Sequence, residues 1–367
     1  MIRTGLAVAA AAMLGAGAAS AGGVERSAQS MALLFERGNY AEFGLSYSRP
    51  RVSGEAPAAL GGAGSGDMAR SFTTFNLGVR GDLSDALSYA FIIDEPIGAS
   101  VEYPAGTGYF IAGSNARIQS TAVTGVLRYQ FDGDFSAHAG LRAVRTRGEV
   151  ELFNPMLPGG TYTMNARNDT AVGYLAGVAW ERPDIAARVA LTYNSRVKHS
   201  FDATETNVAW GGAAETTFDT TIPESLQLEF QTGVAEDTLL FGSLRYARWT
   251  RFEIAPENYT TILGQNPLVE YESNSLTWNI GVGRQFNENW SGAVSLGYER
   301  KSGDALANLG PTDGYRSIGV GVTYREGPIM VATGIQYRRI GGGETAAGAR
   351  FSGNSALGLG VRVGFSF

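Results

Sequence analysis

The sequence predicts an all-β fold, a closed 14-stranded antiparallel transmembrane β-barrel with a short N-terminal plug, on three observations. Apolar residues recur at every second position through most of the chain. Short turns alternate with long connections. The composition suits strands: glycine fills 50 of 367 positions and charged residues only 17%, against roughly 25% in soluble domains.

The first element is an address. Arg3 supplies a positive start, Gly5 to Ala18 is an unbroken run of apolar and small residues, and Ala19-Ser20-Ala21 is a small-residue cleavage site. Residues 1–21 therefore read as a secretory signal peptide. The run is shorter than the ~20 apolar residues a membrane helix needs. Cleavage leaves a mature chain beginning at Gly22, in which no later stretch has the length of a membrane helix.

Residues 22–40 precede the first strand. Ser27 to Phe35 reads as a short helix capped by Ser27, with Met31, Leu34 and Phe35 on one face. So short a helix is unstable alone in water. Its apolar face points to a hatch folded into the lumen rather than a loose periplasmic tail.

Residues 41–367 carry the barrel, in segments near 41–53, 70–81, 86–95, 115–131, 135–150, 167–181, 185–201, 214–232, 238–254, 268–286, 289–301, 314–325, 328–340 and 355–367. The last shows the pattern best. Leu357, Leu359, Val361, Val363, Phe365 and Phe367 share one face, and Gly358, Gly360, Arg362, Gly364 and Ser366 share the other. In a membrane barrel the apolar set faces lipid and the small or polar set faces the lumen. Tyr129, Tyr193 and Tyr324 end outward sets, where an aromatic girdle belongs.

Connections sort the two rims. Asp132-Gly133-Asp134, Arg182-Pro183-Asp184, Asn287-Glu288 and Glu326-Gly327 are short turns, expected on the periplasmic side. Segments 54–69, 96–114, 151–166, 202–213, 255–267, 302–313 and 341–354 are long and expected outside. An unpaired backbone group in hydrocarbon costs several kcal/mol, so the first strand must pair with the last. Fourteen strands fall between a barrel filled by its own side chains and one holding an open channel, so a plug or ligand is expected inside.

Other chemistries are excluded or disfavoured. There is no cysteine, hence no disulfide, thiolate metal site or cysteine nucleophile. Neither of the two histidines is followed two positions on by a serine, the order of a barrel-wall phospholipase: His138 precedes Ala139-Gly140 and His199 precedes Ser200-Phe201. No enzyme activity, metal or cofactor is therefore expected. The net charge of −6 argues against nucleic acid. Glycine clusters at 61–64 and 341–343 lack the Lys-Ser/Thr of a phosphate loop. A porin for small solutes is the alternative function, against which the apolar plug counts.

Glu95-Pro96-Ile97-Gly98-Ala99 followed by Tyr103, Ile222-Pro223-Glu224-Ser225 entering the eighth strand, Tyr246-Ala247-Arg248-Trp249-Thr250 near the top of the ninth, and a terminal strand ending in Phe367 make the mature chain resemble the FadL/TodX outer-membrane transport proteins. The resemblance implies a monomer in the outer membrane of a Gram-negative bacterium, in contact with lipid and lipopolysaccharide and inserted by the barrel assembly machinery. It implies uptake of long-chain fatty acids or other lipophilic small molecules by passive, ligand-gated diffusion. Ligand would be caught in an apolar groove between outer loops, pass an interior pocket and a hatch, and leave sideways near the third strand. Carried over, the groove candidates are Phe153, Met156, Leu157, Tyr162, Met164, Val208 and Trp210. The lumen and hatch candidates are Met31, Leu34, Phe35, Phe241 and Trp249. Arg245 and Arg128, with Arg188 and Arg251, are candidates for pairing a carboxylate head group. The Asn-Pro-Ala turn usual at the end of the hatch is missing, and Arg37-Gly38-Asn39 stands in its place.

Overall fold

The computed structural model describes residues 24–27 and 29–367, so the expected signal peptide lies outside the described residues. The strands are β1 (Tyr40–Arg51), β2 (Phe72–Asp82), β3 (Leu87–Asp94, resuming as Gly98–Glu102), β4 (Asn115–Gln130), β5 (Phe135–Phe153), β6 (Thr161–Arg182) and β7 (Ala187–Asn194 with Val197–Asn207). Then come β8 (Gly212–Ile222 with Ser225–Ala235), β9 (Thr238–Ala247), β10 (Ser275–Gln285), β11 (Trp290–Glu299), β12 (Tyr315–Glu326), β13 (Ile329–Ile340) and β14 (Ser355–Ser366). Each pairs antiparallel with its neighbours, and β14 closes on β1 from Tyr40↔Ser366 to Arg51↔Ser355. The closed barrel of fourteen strands is therefore observed, with almost no helix among the described residues.

Side chains explain which way the wall faces. Leu45, Leu77, Val123, Val178, Leu191, Ile280, Val294, Val320, Ile335 and Val361 lie exposed on its outer surface, as lipid-facing residues must. Glycine, serine and polar residues alternate with them inside. Trp290 packs on Tyr324 at the periplasmic end, with ring centroids 4.9 Å apart. Trp278 packs on Tyr298 near the outer end, at 5.4 Å. These pairs mark the two edges of the apolar band.

Three expectations need correction. Segments 151–166 and 202–213 are not long loops: β5 and β6 run on to a turn at residues 154–160, and β7 and β8 meet at 208–211. Their outward residues there are polar (Arg145, Arg147, Glu149, Lys198, Asp202, Glu215), so these strands continue beyond lipid into water. Ile222-Pro223-Glu224-Ser225 does not lead into β8 but interrupts it midway, because proline donates no ladder hydrogen bond. The facing Ser195-Arg196 leaves the ladder with it.

The helix expected from Ser27 to Phe35 is also shorter than its apolar spacing suggests. Only Ala32–Phe35 forms a single 3-10 turn. Residues 24–27 form no helix because they bond elsewhere: the Arg26 amide donates to Pro96 O at 2.8 Å, and the Gly98 amide donates to Val24 O at 2.7 Å. Residues 24–27 and 29–35 run through the barrel interior. Ser30 Oγ and the Met31 amide both donate to the Glu229 carboxylate, at 2.5 and 3.1 Å. Met31, Leu33 and Leu34 are buried against Tyr40, Ala90, Val126, Leu175 and Met330.

Candidate functional site

An apolar cavity of about 180 Å³ lies inside the outer half of the barrel. Val150 of β5, Met164 and Ala166 of β6, Phe201 of β7 and Phe218 and Ile222 of β8 form one wall. Phe201 and Phe218 are direct cross-strand partners with ring centroids 5.3 Å apart. A bulge sets this wall: Thr146↔Asp169 is followed by Gly148↔Ala166, so β6 carries one extra residue. Above it the even positions Tyr162, Met164 and Ala166 are buried, and below it the odd positions Gly173 and Leu175.

The same region loosens the wall. Between β6 and β7 the ladder runs to Leu175↔Asn194 and resumes at Ala166↔Ala203, with no ladder pairing between. Side chains span the interval. His199 Nδ1 lies 2.7 Å from Asp169 Oδ2, and its Nε2 lies 3.2 Å from Thr146 Oγ1.

The roof is the connection between β9 and β10, folded inward. Trp249, Phe252 and Tyr271 form a ring cluster with centroids 5.4–5.8 Å apart. Burial pushes the Tyr271 phenol above its ordinary range. One carboxylate ties the roof to the wall. Glu205 of β7 is wholly buried and accepts from Tyr162 Oη (2.8 Å), Thr216 Oγ1 (2.7 Å) and the amides of Asn258 (3.0 Å) and Tyr259 (2.9 Å). Four donors make this buried charge tenable.

The floor is the N-terminal segment. Glu25 bridges to Ile97, and its carboxylate accepts from Arg245 Nε at 3.1 Å. The Arg26 guanidinium lies 3.9 Å over the Phe72 ring. A Cβ on Gly98 would strike that guanidinium, so glycine is what lets Arg26 pass.

Beside this floor the wall is incomplete. β3 pairs with β2 only from Leu77↔Ile93 to Asp82↔Ser88. Glu95-Pro96-Ile97 then turns inward, and Gly98–Glu102 pairs with β4 alone. Contact with the chain before β2 resumes at Ala69↔Val101. Opposite Phe72–Asn76, the Phe75 amide donates to Glu95 Oε2 at 3.0 Å in place of a ladder. Ile97, Gly98 and Phe72 line both this window and the cavity.

The candidate residues fall in several places. Of the groove set, Met164 lines the cavity. Leu157 and Tyr162 are buried behind its wall, Trp210 packs half-buried on Tyr162, and Phe153, Met156 and Val208 are exposed at the hairpin tips. Of the lumen set, Met31 and Leu34 are buried lower in the barrel, and Phe35 lies between the guanidinium groups of Arg128 and Arg188, at 4.7 and 4.4 Å. Phe241 packs with Leu239 and Ala293, and Trp249 belongs to the roof. Arg245 is paired with Glu25, Arg128 with Glu181, and Arg251 with Glu224. Phe201, Phe218, Ile222, Phe252 and Val24 were not anticipated. The alternation Val197, His199, Phe201, Ala203 against Lys198, Ser200, Asp202 was the available signal.

A family model described as outer membrane protein transport protein (OMPP1/FadL/TodX) matches residues 4–337. Among solved structures, a Pseudomonas aeruginosa FadL homologue superposes with a TM-score of 0.72 at 14% identity, covering 92% of each chain. The P. putida toluene transporter TodX gives 0.68 at 14% identity, again over 92% of each chain. The Ralstonia pickettii toluene transporter TbuX gives 0.64 at 11% identity over 91% of each. A search of curated protein sequences found no match.

Proposed function

The chain belongs to the OMPP1/FadL/TodX family of outer-membrane transporters for hydrophobic compounds, and from that premise we propose a route through it. A lipophilic molecule, a long-chain fatty acid or a more compact hydrophobe, reaches the apolar cavity from outside. Residues 22–40 act as the hatch beneath it. Release is sideways, past Arg26 and Phe72, through the window between β2 and β3 into the membrane.

The observation that carries this reading is the meeting of cavity and window at Ile97, Gly98 and Phe72. An apolar ligand leaving there stays out of water, which a straight passage to the periplasm would not allow. Size bears on the substrate. An engineered apolar cavity of roughly 150 Å³ holds benzene, so a chamber of about 180 Å³ suits one aromatic ring or a short acyl segment. A longer acyl chain would extend toward the window. The toluene transporters among the similar folds agree with a compact hydrophobe.

Deleting Pro96 and Ile97 tests the route, since removing two residues keeps the inward and outward alternation of β3. In liposomes, uptake of radiolabelled toluene and of oleate should fall about tenfold or more, while heat-modifiable migration remains that of a folded barrel. Undiminished uptake of both probes, or large stable ion currents through the native protein, would refute it.

A further inference from the structure

The outer edge of the apolar band on β11–β14 and β1 carries arginines in register. One line of cross-strand partners runs Tyr298↔Arg316, Arg316↔Arg339, Arg339↔Ser355 and Ser355↔Arg51. The line below it runs Leu296↔Ile318, Ile318↔Tyr337, Tyr337↔Leu357 and Leu357↔Arg49. Arg49, Arg51, Arg316 and Arg339 are all exposed on the outer surface. Among the described residues none of the four makes an ion pair.

Arg316 and Arg339 stand directly opposite each other, an arrangement in which like charges repel. Next to them opens a cleft of about 660 Å³ bordered also by Arg300 and Lys301. Its one acid, Glu299, is buried and accepts from Thr277 Oγ1 at 2.7 Å. On β6–β8 two outward cations are neutralised in place, Lys198 by Asp219 and Arg167 by Glu215. Here two facing arginines have no acid between them, and an anion from outside the chain would supply the missing charge.

We propose that this row and its cleft are a docking site for a phosphorylated lipid of the outer leaflet, the lipid A part of lipopolysaccharide. One phosphate sits between Arg316 and Arg339, where two planar guanidinium forks grip its oxygens and its charge removes their repulsion. The acyl chains lie on Ile318, Tyr337 and Leu357 directly below. A free phosphate matches the arginines alone; the lipid matches both layers. The inference rests on the outer-membrane location and stands apart from the transport route.

Native mass spectrometry of the detergent-purified mature chain tests it, with bisphosphorylated lipid A, its dephosphorylated form and inorganic phosphate as probes. The native protein should retain lipid A. Arg316→Gln with Arg339→Gln should weaken that binding about tenfold or more, and Arg49→Gln about threefold. Heat-modifiable migration should be unchanged in each variant, and liposome uptake of the hydrophobic probe should stay at the native level. Native-like lipid A binding by the double variant would overturn the proposal, as would equal binding of the dephosphorylated lipid. Inorganic phosphate binding as tightly as lipid A would reduce the row to an anion site and overturn it too.

Discussion

The two sides of this barrel differ in height, and the difference is written on their outer faces. On β5–β8 the strands run past the bilayer, and their outward residues change from Leu141, Val172 and Leu191 to Arg147, Lys198, Asp202 and Glu215. On β11–β14 the strands stop where the apolar band stops, under Arg316 and Arg339. On the tall side Lys198 meets Asp219 and Arg167 meets Glu215, and the inner face is apolar enough to wall a cavity. The short side leaves its charges open. Alternation alone makes a strand, whereas the chemistry of the outer half of that alternation decides which solvent the strand stands in.

The contrast can be broken most severely through Glu205. Glu205→Ala leaves the Tyr162 and Thr216 hydroxyls and two roof amides without their acceptor in a buried site. Each lost partner costs roughly 1–3 kcal/mol, so denaturant unfolding should show the largest loss of the set. An unfolding midpoint like that of the native protein would mean the roof is not anchored to the tall side.

A matched pair of substitutions sharpens the contrast. Val320→Arg places a charge on the lipid face of the short side and should cost about 2–4 kcal/mol. Thr217→Arg, on the outer face of the tall side opposite Asp202, should cost close to nothing. Comparable losses from both, measured by refolding into lipid vesicles, would contradict the placement of the membrane edge.

Phe201→Ala should cost about 3 kcal/mol, less if Phe218 moves into the space. It should also enlarge the chamber, and a competition assay should show bulkier hydrophobes gaining against toluene. An unaltered preference would remove Phe201 from the site. The smallest effect belongs to Lys198→Ala. Its ion pair with Asp219, 2.6 Å long, is more than half exposed on both partners and should contribute under about 1 kcal/mol. A double-mutant cycle with Asp219→Ala measures it.

Much of the architecture was legible along the chain. Period-two alternation in segments such as 314–325 and 355–367 is a local signal, and short turns such as Glu326-Gly327 separate the strands without reference to anything distant. The hatch was legible only as an apolar segment. Met31 and Leu34 are indeed buried, but Ser27 caps no helix, because Arg26 and Val24 bond to the backbone at Pro96 and Gly98 instead. Groove residues were assigned from 151–166 and 202–213 as loops. Read as a strand, 151–166 would have put Met164 inside, whereas Phe201 already stood in the strand segment 185–201 and was simply not singled out.

The order of residues alone therefore determined that the wall is a closed β-barrel and which face of most strands meets lipid, since exposing backbone or burying charge in hydrocarbon is prohibitive for any arrangement. Tertiary structure decided the rest: the bulge that reverses β6, the inward turn at Glu95-Pro96-Ile97, the roof held by Glu205, and the line that sets Arg316 against Arg339. Each depends on register between segments far apart in the chain, and a shift of one residue there would turn every side chain to the other face.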